Sequence, residues 1–306
     1  MGEPMIGAIE AGGTKMVLAV GRTWEEIRDA PRQVLATTTP ADTLPRVMDW
    51  LAERHATAPL SAIGVASFGP IDFAQRRIGA TTPKIPWRGA SWVDAVAGRF
   101  GDLPLGFDTD TGAAALAEHR YGVGQGRDVV AYLTIGTGIG GGLVVGGRIV
   151  HGLLHPELGH MVVRRRAGDD FAGSCPSHGD CLEGLASGEA VKRRWHRTGG
   201  PQLPEDHPAW DLESSYLSDA VVNVATITAA QVIVLGGGIM AVPGLIDRVR
   251  DKVRRHLNGY LDVPELTTQI DRYVVEPGLG LASGIVGAFA VGRGALDRAS
   301  GRAGTG

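Results

Sequence analysis

One local scheme restricts this chain more than any other: a strand, a glycine-threonine turn and a second strand, written once in each half. Residues 5–20, MIGAIEAGGTKMVLAV, set Ile6, Ala8, Met16, Leu18 and Val20 at a period of two around Gly12-Gly13. Residues 128–150, DVVAYLTIGTGIGGGLVVGGRIV, repeat the scheme, with GTGIGGG standing where AGGTK stood. Identity between the halves is too weak to define a repeat, so the repeated scheme is the signal. Glycine lets backbone N–H groups approach an anion closely, and a threonine hydroxyl adds a donor. Neither turn fits a common nucleotide fingerprint. Thr14 precedes Lys15, against G-x-x-x-x-G-K-[ST], and a strand follows each turn, against G-x-G-x-x-G opening a helix. A hairpin also needs glycine, so one turn alone has a structural explanation. Two turns, with Gly236-Gly237-Gly238 after the apolar run VIVL, point to a site for nucleotide phosphates.

Around these units the pattern alternates. A helix is expected over 42–54, with Leu44, Val47, Met48 and Leu51 on one face, then a buried strand over 61–72 ending in a glycine-proline turn. TTPKIPWRGASW, 81–92, has no period and reads as an excursion off the sheet. A short strand stops at Phe107, and an alanine-rich helix begins near Asp110 or Thr111. Helices are expected over 188–197 and 210–229, divided by a proline-rich break at 201–208, and a strand within 229–240. Over 243–257, Leu245, Val249, Val253 and Leu257 form a stripe opposite Arg and Lys, the mark of a surface helix despite its basic look. An apolar glycine- and alanine-rich helix closes the chain before a frayed tail at 300–306. Strands alternating with helices make the fold α/β.

The length, 306 residues, suggests two domains, each able to bury a core without metal or disulfide. The 46 glycines are roughly double the usual share, but they fall between apolar runs without a three-residue period, which excludes collagen and linkers. Thirty basic against 33 acidic side chains give −3, so no nucleic-acid partner is expected. Two cysteines exclude a disulfide scaffold. No basic segment leads into an apolar core, and no apolar stretch approaches ~18 residues, so a cytoplasmic protein without a membrane partner is expected.

Asp110 is the candidate general base, just past a strand end and beside Asp108. Phosphoryl transfer needs one acceptor at the attacking hydroxyl, donors around the phosphates, and Mg²⁺. The alternative is that Asp110 only caps its helix. Glu10 ends the first strand directly before the first turn, placed to hold Mg²⁺ through water or else to make local hydrogen bonds. Cys175, His178 and Cys181 have C-x2-H-x2-C spacing, with His160 upstream as a fourth ligand. Two thiolates and two imidazoles suit tetrahedral Zn²⁺, and four protein ligands leave no position for water, so the expected zinc is structural. Five residues separate the cysteines, so they are not a C-x-x-C redox pair. Glu157, His160 and Glu183 bracket the cluster, and carboxylates with an imidazole suit the vicinal hydroxyls of a polyol. A metal two residues from Glu183 would fix its position. His151 and His155 lie beside this site and are expected at most to shape it.

Taken together, these pieces resemble the ROK family of sugar kinases, and within it the bacterial fructokinases. The resemblance runs over 5–295, through GAIEAGGTK (7–15), GVASFGPID (64–72), TTPKIPW (81–87), FDTDTGAAALAE (107–118), VIVLGGGIM (232–240) and GLASGIVGAF (280–289). Its most specific part is HPELGHM within 132–161, followed by CPSHGDCLEGLASGEA at 175–190. The resemblance implies an actin/hexokinase-like architecture of two ribonuclease-H-like domains around a central cleft. These would be 1–108 and 109–284, with a C-terminal helix, about 285–298, returning to the first. It implies ATP phosphates at Gly12, Gly13, Thr14, Lys15, Thr137, Gly138, Gly140 and Gly141, with Gly236, Gly237 and Gly238 near the adenosine. Asp110 would be the base, and Thr109, Glu157, His160 and Glu183 would contact the sugar, His160 also binding zinc. ATP, Mg²⁺ and structural Zn²⁺ are implied, as is a homodimer that phosphorylates D-fructose at O6.

Two features fit the fructokinase branch better than the glucokinases, which usually have Asn before the base and a Cys-x-Cys start to the zinc loop: Thr109 and Cys175-Pro-Ser-His178. Two depart from that branch: Gly112, where Asn is common, and Leu281, where an acidic or polar residue often follows Leu-Gly. The alternatives are a kinase of the same fold for glucose, mannose or an N-acylated hexosamine, and a non-catalytic sugar-responsive regulator. Such regulators carry a winged-helix domain ahead of the first strand. Here that strand begins near residue 5, and no such domain is expected. A non-catalytic module would be expected to lose Asp110 or a phosphate turn, and both are present.

Overall fold

The structure is a computed structural model and describes residues 2–195 and 203–301. In the N-terminal half the strands are β1 (Met5–Ala11), β2 (Lys15–Gly21), β3 (Gln33–Ala36), β4 (Leu60–Ser67), a small hairpin of β5 (Ile71–Asp72) and β6 (Arg77–Ile78), and β7 (Leu105–Thr109). Its helices are α1 (Trp24–Asp29), α2 (Pro40–Thr57) and α3 (Trp92–Phe100). The sheet order is β3-β2-β1-β4-β7, in which β1, β2 and β3 pair antiparallel while β1, β4 and β7 pair parallel. Parallel neighbours need crossovers and cover on both faces, and β4 is buried along nearly its whole length.

The second half repeats this plan. Helix α4 (Asp110–Tyr121) leads into β8 (Val129–Ile135), β9 (Ile139–Val145) and β10 (Arg148–Ile149), then α5 (Leu182–Ala186), α6 (Gly188–Arg194) and α7 (Ala209–Thr228). Strand β11 (Val232–Gly236), α8 (Leu245–Leu257), α9 (Pro264–Thr267), α10 (Ile270–Tyr273), β12 (Val274–Val275) and α11 (Ser283–Ala299) follow. The sheet order is β10-β9-β8-β11-β12, with an antiparallel trio and a parallel trio sharing β8. Two mixed sheets thus share one connectivity.

Helices α4 and α11 fill the space between the sheets. Ala113, Ala114, Ala115 and Ala117 of α4 join Val286, Ala288 and Phe289 of α11 in one core cluster with Ile6, Ala8, Val130 and Tyr132 of the strands. The approach is so close that a Cβ on Gly64 would overlap the Ala288 carbonyl, and one on Gly287 the Ala113 carbonyl. Gly64, Gly106, Gly287 and Gly292 all serve this packing. Outside, α2 and α3 cover the first sheet, and α7 and α8 cover the second. Leu245, Val249, Val253 and Leu257 are all buried, as their spacing predicts. Among the described residues no helix is long and apolar enough to cross a membrane.

Three readings change. Strand β7 continues past Phe107 to Thr109, because Asp108 and Thr109 pair with Ala66 and Ser67. The 81–92 segment leaves the sheet but is anchored by Trp87 and Trp92, each 1% exposed, and Trp92 opens α3, a helix the period did not reveal. Helix α2 extends beyond 42–54 to Pro40–Thr57. Positions 196 and 197 of the expected helix, 201 and 202 of the proline-rich break, and 302–306 of the tail lie outside the described residues.

Candidate active site and metal cluster

The β7–α4 junction carries the candidate base. Thr109, the N-cap of α4, accepts the Gly112 N–H on Oγ1 at 3.0 Å. Asp110 is therefore not needed as the cap and stands as the first helical residue. Its Oδ1 accepts the Thr111 N–H at 2.8 Å. Burial raises the Asp110 carboxyl to about 7, the Thr111 N–H opposes this, and the charges of Glu10 and Glu157 add to it. Both carboxylates are distant from Asp110 in sequence, and the fold brings their charges near enough to act on it. A base poised near neutrality is matched to proton transfer.

Asp108 is otherwise engaged. Buried, it accepts the Thr109 N–H at 2.8 Å and lies 3.1 Å from His151 Nε2, a bond that raises the His151 pKa. Phe73 packs on the His151 ring at 4.2 Å. His155 makes a second tie: its Nε2 accepts the Ile71 N–H at 3.1 Å, and its Nδ1 stands 3.5 Å from Glu157. The loop after β10 is thus fastened to the first half at two points. Gly112, the departure from the fructokinase pattern, has a steric cause. A Cβ there would lie 2.7 Å from Thr109 Oγ1 and 2.9 Å from Asp108 Oδ1.

At the first turn Gly12 N–H bonds Lys15 O at 3.0 Å, while Thr14 and Lys15 are exposed. Thr37 braces the turn, donating its hydroxyl to Gly12 O at 2.7 Å and its N–H to Thr14 O at 3.0 Å. No local signal marked Thr37. Glu10 ends up against the start of α11, where a Cβ on Gly284 would lie 2.5 Å from its carboxylate. Burial raises the Glu10 pKa, and Arg32 and Lys15 oppose it.

The second turn is shorter than the sequence suggests. It spans Gly136–Gly138 with Thr137 exposed, and Gly188 and Glu189 donate their N–H groups to Gly136 O and Thr137 O. Gly140 and Gly141 belong to β9 instead. Thr111 crosses over the first and Leu158 over the second, where a Cβ would meet them at 2.9 and 2.6 Å. Gly236 ends β11, and Gly237 has φ 94° where a Cβ would overlap the Ile135 carbonyl, so Gly236, Gly237 and Gly238 lie beside the second turn. Glu183 does not stand free: its Oε2 accepts the Ile139 N–H at 2.9 Å. Leu281 is 95% exposed.

His160, Cys175, His178 and Cys181 bring their donor atoms within 4.8 Å of one another. His160 Nδ1 lies 3.5 Å from Cys181 Sγ and 3.8 Å from Cys175 Sγ, and His178 Nδ1 lies 3.7 Å from Cys175 Sγ. A tetrahedral ion with the usual Zn–S and Zn–N bonds has S···N edges of about 3.6 Å. The four residues therefore fit a tetrahedral cation, and His160 Nε2 remains outside the set. Cys175 and Gly179 close the loop with paired backbone bonds, helped by φ 67° at Gly179. Cys181 is the N-cap residue of α5, and Glu183 lies in the first turn of that helix, so the cluster, Glu183 and the second glycine turn form one continuous support.

The ROK family profile matches residues 6–294. The chain belongs to the ROK family. Within it, the chain is 40% identical over 299 residues to a fructokinase of Pediococcus pentosaceus, covering 96% of this chain and all of that one. It is 37% identical over 278 residues to a fructokinase of Lactococcus lactis subsp. cremoris, covering 89% and 90%. A ROK-family glucokinase from Streptomyces griseus, solved with glucose and AMPPNP, superposes with a TM-score of 0.74 at 27% identity, covering 94% of this chain and 99% of that one. The fold is the α/β ROK-kinase fold of the hexokinase/actin-like superfamily, with two mixed sheets around a cleft, as the motifs implied.

Proposed function

We propose that this ROK-family enzyme transfers the γ-phosphoryl group of ATP to O6 of D-fructose, giving D-fructose 6-phosphate and ADP. It is an ATP-dependent kinase acting on a hexose, and its likeness to named fructokinases over nearly the whole chain supports the sugar assignment. The observation that carries the chemistry is the Asp110 carboxyl, held at about 7 where the two halves meet and released from capping by Thr109. In this reading Asp110 takes the O6 proton as the O6–P bond forms, and the bond from phosphorus to the ADP oxygen breaks. The turns at Gly12, Gly13 and Thr14 and at Thr137 and Gly138 hold the phosphates, with Gly236–Gly238 toward the adenosine. Mg²⁺, when bound, would neutralise phosphate charge, and in this reading Glu10 would hold it through water. Thr109, Glu157, His160 through its free Nε2, and Glu183 orient the sugar.

The tetrahedral cluster is read as structural Zn²⁺, about one per chain, because two thiolates and two imidazoles prefer it. Elemental analysis of protein purified without added metal checks this. The lobes would be 1–108 and 109–284 with α11 packed back on the first, in a cytoplasmic homodimer. ATP consumption measured across fructose, glucose, mannose, N-acetylmannosamine and N-acetylglucosamine tests the substrate. Fructose ranking below the others would move the assignment to a glucokinase, mannokinase or N-acylhexosamine kinase.

A further inference from the structure

The structure sets a cation over the first glycine turn, and no part of the mechanism above uses it. Lys84 lies in the TTPKIPW segment, half-buried. Its backbone is firmly held. Thr82 is fully buried, and the Trp87 indole N–H donates to Thr38 O at 2.7 Å while the Trp87 amide donates to Lys84 O at 2.8 Å. From this anchor the side chain reaches Gly13, where a Cβ would lie 2.9 Å from Lys84 Cε and 3.7 Å from Nζ. Gly13 is not among the glycines with positive φ. What position 13 requires is room, and the group occupying that room is the Lys84 stem. No ion pair among the described residues involves Lys84.

A compact positive charge on a flexible stem, without a carboxylate partner and beside a turn of backbone donors, suits a phosphate oxygen. We propose that Lys84 is a catalytic residue whose ammonium contacts the γ-phosphoryl group of ATP and offsets the charge on its oxygens during transfer. This rests on the kinase reading. It also explains why a segment that leaves the sheet is pinned by two buried tryptophans: the lysine must arrive at a defined place. Lys15, at the start of β2, is exposed where Lys84 is half-buried.

The experiment compares wild type with Lys84→Met, Lys84→Arg, Gly13→Ala and the Gly13→Ala/Lys84→Met double variant. It measures Kd for AMPPNP and for ADP, Kd for the sugar, kcat and Tm. Lys84→Met should weaken AMPPNP by roughly 10- to 100-fold, the weight of a charge-assisted hydrogen bond, while ADP and sugar binding stay within about twofold. Its kcat should fall roughly 10²–10³-fold, as when one stabilising donor is removed from a transition state, and Lys84→Arg should recover part of it. Gly13→Ala displaces only the far end of a flexible side chain, so it should keep its Tm, act in the same direction, and add little to Lys84→Met in the double variant. Equal effects on AMPPNP and ADP, or a kcat within threefold of wild type, overturn the role of Lys84. Weaker sugar binding at unchanged kcat also overturns it and makes Lys84 a sugar contact. A wild-type protein that binds neither nucleotide overturns the kinase reading itself, and this proposal with it.

Discussion

The two glycine turns occupy equivalent places in sheets of identical strand order, yet they are supported in opposite ways. The first, Gly12–Thr14, is braced by Thr37 on the neighbouring strand edge and lies under Lys84, all within the N-terminal half. The second, Gly136–Gly138, leans on Gly188, Glu189 and Glu183, and through α5 on the His₂Cys₂ cluster. One turn is roofed by charge; the other is positioned by the His₂Cys₂ cluster. The same local solution can therefore acquire different chemistry, depending on which distant segment comes to rest on it.

The largest effect is expected at Asp110, the proposed base. Asp110→Asn should lower kcat roughly 10²–10⁴-fold, the range for lost acid–base help, while ATP affinity and Tm stay near wild type, because Thr109 supplies the cap. Asp108→Asn is the matching control. If turnover collapses there and survives in Asp110→Asn, the base is Asp108.

Next comes the metal. Cys181→Ala should lower both Tm and kcat, the latter roughly 10–100-fold, the usual cost of losing the support of a site. Glu183→Gln should reproduce part of the kcat loss at unchanged metal content, whereas Thr37→Val should disturb the first turn without touching metal. If Cys181→Ala left kcat unchanged, the second turn would not depend on the cluster.

A pH profile gives an intermediate effect. Asp110 must be ionised to accept a proton, and burial has raised its carboxyl to about 7. The active form is therefore lost as pH falls through 7, so kcat/KM should drop about tenfold per unit below that value and level off above it. Glu10→Gln removes a like charge and should move the acid limb downward slightly, since burial is the larger cause. An acid limb near the ordinary carboxylate range would show Asp110 to be solvated.

The smallest effect is expected at Thr109→Asn. Asn caps a helix about as well, so Tm should hardly change. The ratio of kcat/KM for fructose over glucose should shift, and an unchanged ratio would place discrimination elsewhere, such as the segment around Trp87.

Much of this site was legible before the fold was. The period-two strands around each turn, the C-x2-H-x2-C spacing with His160, and Asp110 beside Thr109 are local facts, and local chemistry decides them. His151 and His155 showed only as neighbours of the site, because nothing near them in sequence names Asp108 or Ile71 as their partners. Gly140 and Gly141 looked like turn residues for a similar reason: a glycine run has the same spelling whether it frees a loop or lets α4 and Leu158 press against a strand. The helix at Trp92 was hidden because Pro83, Pro86, Trp87 and Gly89 just before it erase any period.

The sequence by itself determined the α/β alternation, the spacing that gathers Cys175, His178 and Cys181, and the carboxylate at the helix start, since each is set by backbone preference or ligand chemistry over a few residues. Only the tertiary structure decided that Thr109 rather than Asp110 caps α4, that Glu10 and Glu157 raise the Asp110 pKa, and that Lys84 lies over Gly13. Those outcomes depend on how closely two sheets and the helices between them can approach. Approach is governed by the packing of side chains far apart in the chain, which no local spacing records.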